Sequence, residues 1–138
     1  FTPGSTLTVR VAVTNVGAVA GHEVVQLYAA PLRPGAFRPV KELRAFVKVH
    51  LEPGASTVVE LELGDRAFAR WAAVDPELAG LVARGAQAAP FMPRPDRLDE
   101  RGWVVDAGPY ELHVGRSSAD IAHVVGVDVT APTGAGGA

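Results

Sequence analysis

The sequence predicts an all-β domain, folded as a sandwich of about seven short strands. Runs in which apolar and polar side chains alternate recur along the chain, as strands with one buried face require. Eleven prolines and fifteen glycines separate these runs and indicate many turns rather than long helices. The number of runs and the spacing of the turns are those of an immunoglobulin-like sandwich.

The stretch 41–63 predicts a strand, a tight corner and a second strand. In the first strand, alternation predicts one buried face, made of Leu43, Ala45, Val47, Val49 and Leu51. In the second, it predicts a face made of Thr57, Val59, Leu61 and Leu63. At the corner, Pro53 fixes the backbone of the first position, and Gly54 accepts the positive φ that a type II turn needs next.

Five further strands are predicted, at residues 6–14, 22–29, 103–105, 110–115 and 121–130. The segment 22–29 is apolar on both faces, which predicts a central strand with side chains packed on each side. Residues 31–39 hold three prolines and a glycine and predict a connecting loop. The apolar segment 66–74 is either a brief strand or a single helical turn. Trp71 and Trp103 lie in apolar runs, so core packing is predicted for both.

The predicted sandwich covers residues 1–131, and a glycine-rich, flexible tail follows at 132–138. An insertion at about 76–102 interrupts it. Pro76 stands at a first helical position, and apolar residues follow three to four apart until Gly85, which predicts a short helix. A structureless remainder of this length usually has a function or is disordered.

A tyrosine corner is predicted where the strand pattern resumes near the end of the chain. In Asp106-x-Gly108-x-Tyr110, the tyrosine follows a turn, so its ring can pack inward while its hydroxyl bonds the backbone upstream. Leu112 then occupies the place where antibody domains carry a disulfide cysteine, so apolar packing alone is predicted to hold this core.

Composition excludes several classes of function. Thirteen basic and fifteen acidic residues give a net charge of -2, without the clustered Lys and Arg that nucleic acids or anionic membranes select. The absence of cysteine excludes disulfides, thiolate nucleophiles and cysteine zinc sites. No apolar run approaches the roughly 20 residues of a membrane-spanning helix. We expect a soluble protein, cytoplasmic or secreted, that binds neither nucleic acid nor membrane and needs no cofactor.

An ordered set of motifs resembles a known family. The motifs are Val13-Thr14-Asn15-x-Gly17, Glu23-Val24-Val25-Gln26-Leu27-Tyr28, Lys41-Glu42-Leu43, Leu51-x-Pro53-Gly54, Trp103-Val104-Val105-x-x-Gly108-x-Tyr110 and Gly115-x-Ser117-Ser118. Together they resemble the fibronectin type III-like domain at the C-terminal end of glycoside hydrolase family 3 enzymes, chiefly β-glucosidases. The resemblance implies a seven-stranded sandwich that packs on catalytic domains lying upstream, which carry the residues that hydrolyse O-glycosyl bonds. It implies a non-catalytic accessory domain whose partner is the catalytic part of the parent enzyme.

The sequence departs from the family pattern at three places. Ala30-Pro31 stands where an acidic residue often follows the strand that contains Tyr28. The connection 76–102 is longer than is usual in the family. The strand that should precede Thr6 is truncated or absent. The third departure bears on whether the domain is complete.

No residues of this chain are predicted to be catalytic. A glycosidase needs two carboxylates about 5 to 10 Å apart across a sugar cleft. Glu60 and Glu62 form a solvated strand face, while the insertion's Asp96, Asp99 and Glu100 have arginines as neighbours. A metal site is not predicted either, because the histidines lie on separate segments, at positions 22, 50, 113 and 123.

Three roles follow for the domain. The leading hypothesis is structural and interdomain support, with Phe37, Arg38, Lys41 and Glu42 as candidate contacts because Arg can fork onto a partner's carboxylate. Carbohydrate binding is the alternative, with Phe37, Trp71, Phe91 and Trp103 available for stacking, and sugar contact expected only near the parent active site. A stand-alone protein-binding module fits the same fold.

Overall fold

The computed structural model describes residues 1–34, 38–72 and 102–131 of the chain. The strands in these ranges are β1 (Leu7–Thr14), β2 (Gly21–Pro31), β3 (Glu42–Leu51), β4 (Ser56–Leu63), β5 (Ala69–Ala72), β6 (Gly102–Val105), β7 (Gly108–Gly115) and β8 (Ile121–Val129). One helical turn, α1 (Asp65–Phe68), separates β4 from β5. The predicted helix at 76–85, nearly all of the insertion, the tail 132–138 and Phe37 lie outside the described residues.

The strands form the predicted all-β sandwich. One sheet pairs β1 with β4, and the facing sheet has the order β3-β2-β7-β8, with every neighbouring pair antiparallel. The short strands β5 and β6 form a third, two-stranded ladder beside them. Within the described ranges, no helix is long and apolar enough to cross a membrane.

Burial follows the alternation of the strands. In β1 and β4 every second residue turns towards the other sheet, while β2 is buried on both faces near its end, as predicted for a central strand. The largest fully buried side chains are Leu27, Leu63 and Phe68, which come from β2, β4 and α1. Leu112 lies in the same cluster of buried apolar side chains, at the place where antibody domains carry a disulfide cysteine.

The corner between β3 and β4 has the predicted type II geometry. Gly54 has a φ of +74°, and the amide of Ala55 donates to the carbonyl oxygen of Glu52 at 3.0 Å. A φ in this range is strained for residues with a Cβ atom, so glycine is the fitting residue here.

The predicted buried face of β3 is wrong at one position. Leu43 is 47% exposed, because the pairing of β2 with β3 slips by one residue between Leu27 and Tyr28. Arg44 is the extra residue of this β-bulge, and a bulge reverses the side to which the following positions point. The bulge therefore turns Leu43 outwards and Arg44 towards the interior of the domain.

The predicted core packing of the two tryptophans is also wrong. Trp71 and Trp103 are 56% and 51% exposed, and they stand directly opposite each other in the β5–β6 ladder. Residues directly opposite each other point to the same face of a ladder, so both tryptophans lie on one face. Val104 points to the other face, which packs against the protein interior. The segment 66–74 was predicted to be either a brief strand or a single helical turn. Its described part contains both, because α1 makes one helical turn and β5 is a brief strand.

Candidate functional site

Five charged side chains converge where the sandwich meets the β5–β6 ladder. These are Arg38, Glu42, Arg44, Arg70 and Asp106, called the arginine cluster below. Arg38 precedes β3, Glu42 is the first residue of β3, and Arg44 is the bulge residue of that strand. Arg70 lies in β5, and Asp106 lies in the turn between β6 and β7. Residues distant in sequence are therefore joined at one corner of the fold.

Arg38 is the centre of the cluster, with a side chain only 2% exposed. Its Nη2 atom contacts Glu42 Oε2 at 2.7 Å, and its Nη1 atom lies 3.6 Å from Asp106 Oδ2. Nη1 also donates to the Tyr110 hydroxyl at 3.2 Å and to the carbonyl oxygen of Phe68 at 3.3 Å. One buried guanidinium thus ties β3, α1 and the start of β7 together.

Each carboxylate of the arginine cluster is also paired with a second arginine. Arg44 Nη2 lies 2.8 Å from Glu42 Oε2 and donates to the carbonyl oxygen of Ala69 at 3.2 Å. Arg70 holds Asp106 with two parallel hydrogen bonds, of 2.6 Å from Nε and 3.0 Å from Nη2. A fork of this kind fixes the orientation of both groups as well as their distance.

Tyr110 forms the predicted tyrosine corner. Its hydroxyl donates to the carbonyl oxygen of Asp106 at 3.1 Å, and its ring packs edge-on against Phe68 with centroids 5.4 Å apart. Burial raises the pKa of the Tyr110 phenol, and the Arg38 guanidinium opposes this shift. The predicted inward ring and backbone contact are both confirmed.

This pKa shift predicts a loss of stability at high pH. Because the folded pKa lies above the unfolded value of 10.0, the unfolded state releases its proton first as the pH rises, and unfolding becomes more favourable. We expect the free energy of unfolding to fall more steeply above pH 10 in the wild type than in Tyr110→Phe, which cannot ionise. Denaturant unfolding at pH 8 to 11 measures this, and equal slopes would contradict it.

The contacts of the arginine cluster are suited to holding strands and helix α1 together rather than to catalysing hydrolysis. Glu42 and Asp106 each contact two guanidinium groups, so both carboxylates are engaged inside the domain. A hydrolytic pair would instead face a sugar cleft with room for substrate. The Nε atoms of Arg38 and Arg44 are buried without a hydrogen-bond partner in the described part of the chain.

The structure brings together two of the four predicted interdomain contacts. Arg38 and Glu42 meet in the arginine cluster, where Arg38 is buried. Lys41 lies on the outer face of the sheet, with its Nζ atom 5.8 Å from the centroid of the Tyr28 ring, and it donates to the carbonyl oxygen of Ser118. Phe37 lies outside the described residues. An interdomain role for these four residues stays a prediction.

The other candidate groups are dispersed. Glu60 pairs across the strands with Arg10 at 2.6 Å, and both side chains are exposed. His113 lies 3.0 Å from Glu111 on one strand, and His22 stacks obliquely on His50. Among the described residues, no group of three or more His, Cys, Asp or Glu side chains could hold a metal ion. Asp96, Asp99, Glu100 and Phe91 lie outside those residues.

Sequence reasoning missed Arg44, Arg70 and Asp106 as members of the cluster. Asp106 was visible only as the start of the tyrosine corner, and Arg44 as a polar position in an alternating strand. Both join the cluster through tertiary pairing, which periodicity along the chain does not encode.

Comparison with known proteins gives the family. The family model for the fibronectin type III-like domain matches residues 23–78. This chain contains a fibronectin type III-like domain. It is 35% identical, over 126 residues, to an exo-alpha-(1->6)-L-arabinopyranosidase of Bifidobacterium breve, an alignment that covers 91% of this chain and 13% of that protein.

Solved structures carry the same domain. A β-glucosidase from Listeria innocua matches 96% of this fibronectin type III-like domain at 30% identity, with a TM-score of 0.69. A family 3 β-glucosidase from Bifidobacterium adolescentis matches 96% at 31% identity, with a TM-score of 0.68. The domain covers only 14% and 17% of those chains. The resemblance to glycoside hydrolase family 3 enzymes is confirmed, and the domain corresponds to a small accessory part of them.

Proposed function

We propose that this fibronectin type III-like domain supports the catalytic domains of a β-glucosidase-like glycoside hydrolase of family 3. The observation that carries the proposal is the alignment of nearly the whole chain with one small part of such enzymes. In this proposal, the remainder of the parent enzyme hydrolyses the O-glycosyl bonds, and this domain gives it structural support.

The internal structure of the domain supports this role. The arginine cluster links the β3 edge, α1 and the β6–β7 turn through ion pairs and backbone hydrogen bonds. A corner fixed in this way presents its outer surface in one conformation, and a preorganised surface loses less entropy when it docks.

Removal of the domain from the full-length enzyme tests the proposal. We expect the truncated enzyme to have a lower Tm and a shorter half-life on heating, because its catalytic part loses a supporting surface. Activity is measured on an aryl β-D-glucoside and an aryl α-L-arabinopyranoside. Unchanged Tm and unchanged kinetics on both substrates would contradict structural support.

Carbohydrate binding is the second candidate, and the exposure of Trp71 and Trp103 favours it. Aromatic rings on a surface can stack against the apolar face of a sugar. Titration of this chain with cellobiose, followed by tryptophan fluorescence, tests this role. A saturable change would support it, and an unchanged spectrum would exclude cellobiose as the ligand.

A further inference from the structure

Two histidines that are distant in sequence lie side by side on the outer face of the four-stranded sheet. His22, near the start of β2, stands directly opposite His50, near the end of β3, and the two are called the histidine pair below. Their imidazole rings have centroids 4.7 Å apart and are tilted by 53°. Both residues are exposed to solvent. The antiparallel pairing of β2 with β3 therefore brings together two potential metal ligands that the sequence keeps on separate segments.

The ring nitrogens of the histidine pair are available as ligands. In the described ranges, His113 is the one histidine whose ring nitrogen has a hydrogen-bond partner, Glu111 Oε2 at 3.0 Å. A neutral imidazole offers the lone pair of one nitrogen, which makes histidine the commonest metal ligand in proteins. Lys48 lies on the same face as the pair, but it stands opposite Val24, in the next cross-strand pair on that face. Its flexible stem lets the ammonium group extend into water.

The distance between the two rings fits the binding of one metal ion by both. An imidazole nitrogen binds a transition-metal ion at about 2.0 to 2.1 Å, which places the ring centroid roughly 3.2 Å from the metal. Bond angles of roughly 90 to 110° at the metal, as in octahedral and tetrahedral sites, then place two ring centroids about 4.5 to 5.2 Å apart. The observed separation of 4.7 Å lies within this range.

The backbone around the histidine pair is held in place. The register of β2 with β3 is unbroken at this end of the strands, and the β3 bulge lies further along. Next to His50, the carbonyl oxygen of Leu51 accepts a hydrogen bond of 2.9 Å from Asn15 Nδ2. The amide of Gly54, in the type II corner, donates to the carbonyl oxygen of Asn15 at 2.8 Å. Because the strand ends are fixed, binding an ion there costs little conformational entropy.

We propose that the histidine pair binds a divalent transition-metal ion, with one imidazole nitrogen from each strand and water in the remaining positions. Imidazole suits Zn²⁺, Ni²⁺ and Cu²⁺, whereas Mg²⁺ and Ca²⁺ take oxygen ligands. The ion links the edge strand β3 to its neighbour β2. Since the two ligands meet only when the strands are paired, the ion stabilises the folded state. The site is independent of the proposed function, because both ligands belong to this domain.

Calorimetric titration of this chain with Ni²⁺, without a histidine tag, tests the site. We expect one saturable Ni²⁺ site per chain. His22→Gln and His50→Gln should each weaken it about 100-fold, because the second ligand of a chelate acts at a high effective concentration. His123→Gln is the control, since it removes an exposed histidine from β8 and should leave the affinity unchanged. Absence of saturable binding, or equal affinity in the wild type and both pair variants, would overturn the proposal.

The order of affinity among metal ions gives a second readout. Two imidazole ligands with open positions should bind Cu²⁺ more tightly than Ni²⁺ or Zn²⁺. Mg²⁺ and Ca²⁺ should not compete with Ni²⁺ at the same concentrations, because they prefer oxygen ligands. Displacement of Ni²⁺ by Mg²⁺ or Ca²⁺ would show a carboxylate site instead and would contradict the proposal.

Denaturant unfolding with and without Zn²⁺ tests whether the ion links the two strands. We expect Zn²⁺ to raise the denaturant midpoint of the wild type and of His123→Gln, and to leave that of His50→Gln unchanged. A chelator should reverse the rise. Both substituted positions are exposed, so the variants should fold as the wild type does. An equal rise in all three proteins, or a rise in none, would overturn the link between β2 and β3.

Discussion

Replacing Asp106 with alanine is expected to destabilise the domain by about 3 kcal/mol. The substitution removes the carboxylate that holds Arg70 by two hydrogen bonds and lies 3.6 Å from the buried Arg38. Glu42 is then the one carboxylate left in the arginine cluster, and it contacts Arg38 and Arg44 but not Arg70. Removing one partner of a buried ion pair is costly because the charge that remains is desolvated and uncompensated. Denaturant unfolding of the chain measures the loss.

Glu60→Ala is the matched control for Asp106→Ala. It also removes a carboxylate that lies 2.6 Å from an arginine Nε atom, but the Arg10–Glu60 pair is exposed. Exposed pairs contribute about 0 to 1 kcal/mol, so the control should unfold nearly as the wild type does. Equal losses in the two variants would show that the arginine cluster contributes no more than a surface pair.

Phe68→Ala is expected to cost about 3 to 5 kcal/mol. Phe68 is fully buried and packs between Phe1 and Tyr110, with ring centroids 4.5 and 5.4 Å away. Truncation leaves a cavity there and loosens the surroundings of the carbonyl group that accepts from Arg38. The free energy of unfolding, from denaturant titration, checks the value.

Phe46→Ala is the control for the core substitution, because it removes the same side chain from a position that is 67% exposed. Exposed substitutions away from special features usually change stability by less than about 0.5 kcal/mol. A loss of similar size in both variants would contradict the assignment of Phe68 to the core.

Local patterns predicted the framework of the fold. Period-two alternation located β1 and β4, and the apolar run in β2 indicated the central strand. Pro53 and Gly54 predicted a corner whose φ is positive at the glycine, and Asp106-x-Gly108-x-Tyr110 predicted the tyrosine corner. These features depend on neighbouring residues, so the sequence contains what is needed to find them.

The errors have a common physical origin in tertiary pairing. The bulge at Arg44 exists because β2 and β3 pair with a one-residue slip, and nothing in the sequence of β3 alone marks it. The fate of Trp71 and Trp103 depends on which face of the β5–β6 ladder meets the core. The arginine cluster combines segments that only the folded chain brings together, and the resemblance to a family did not identify Arg44, Arg70 or Asp106 as members.

We propose that this domain stabilises the catalytic part of a glycosidase, and heat inactivation of the full-length Phe68→Ala enzyme is the measurement that decides it. Phe68 is fully buried inside the domain, so the substitution acts on the catalytic part only through the domain's own stability. We predict that glycosidase activity is lost at a lower temperature than in the wild type and in Phe46→Ala. The claim is contradicted if all three enzymes lose activity at the same temperature while the Phe68→Ala domain unfolds earlier.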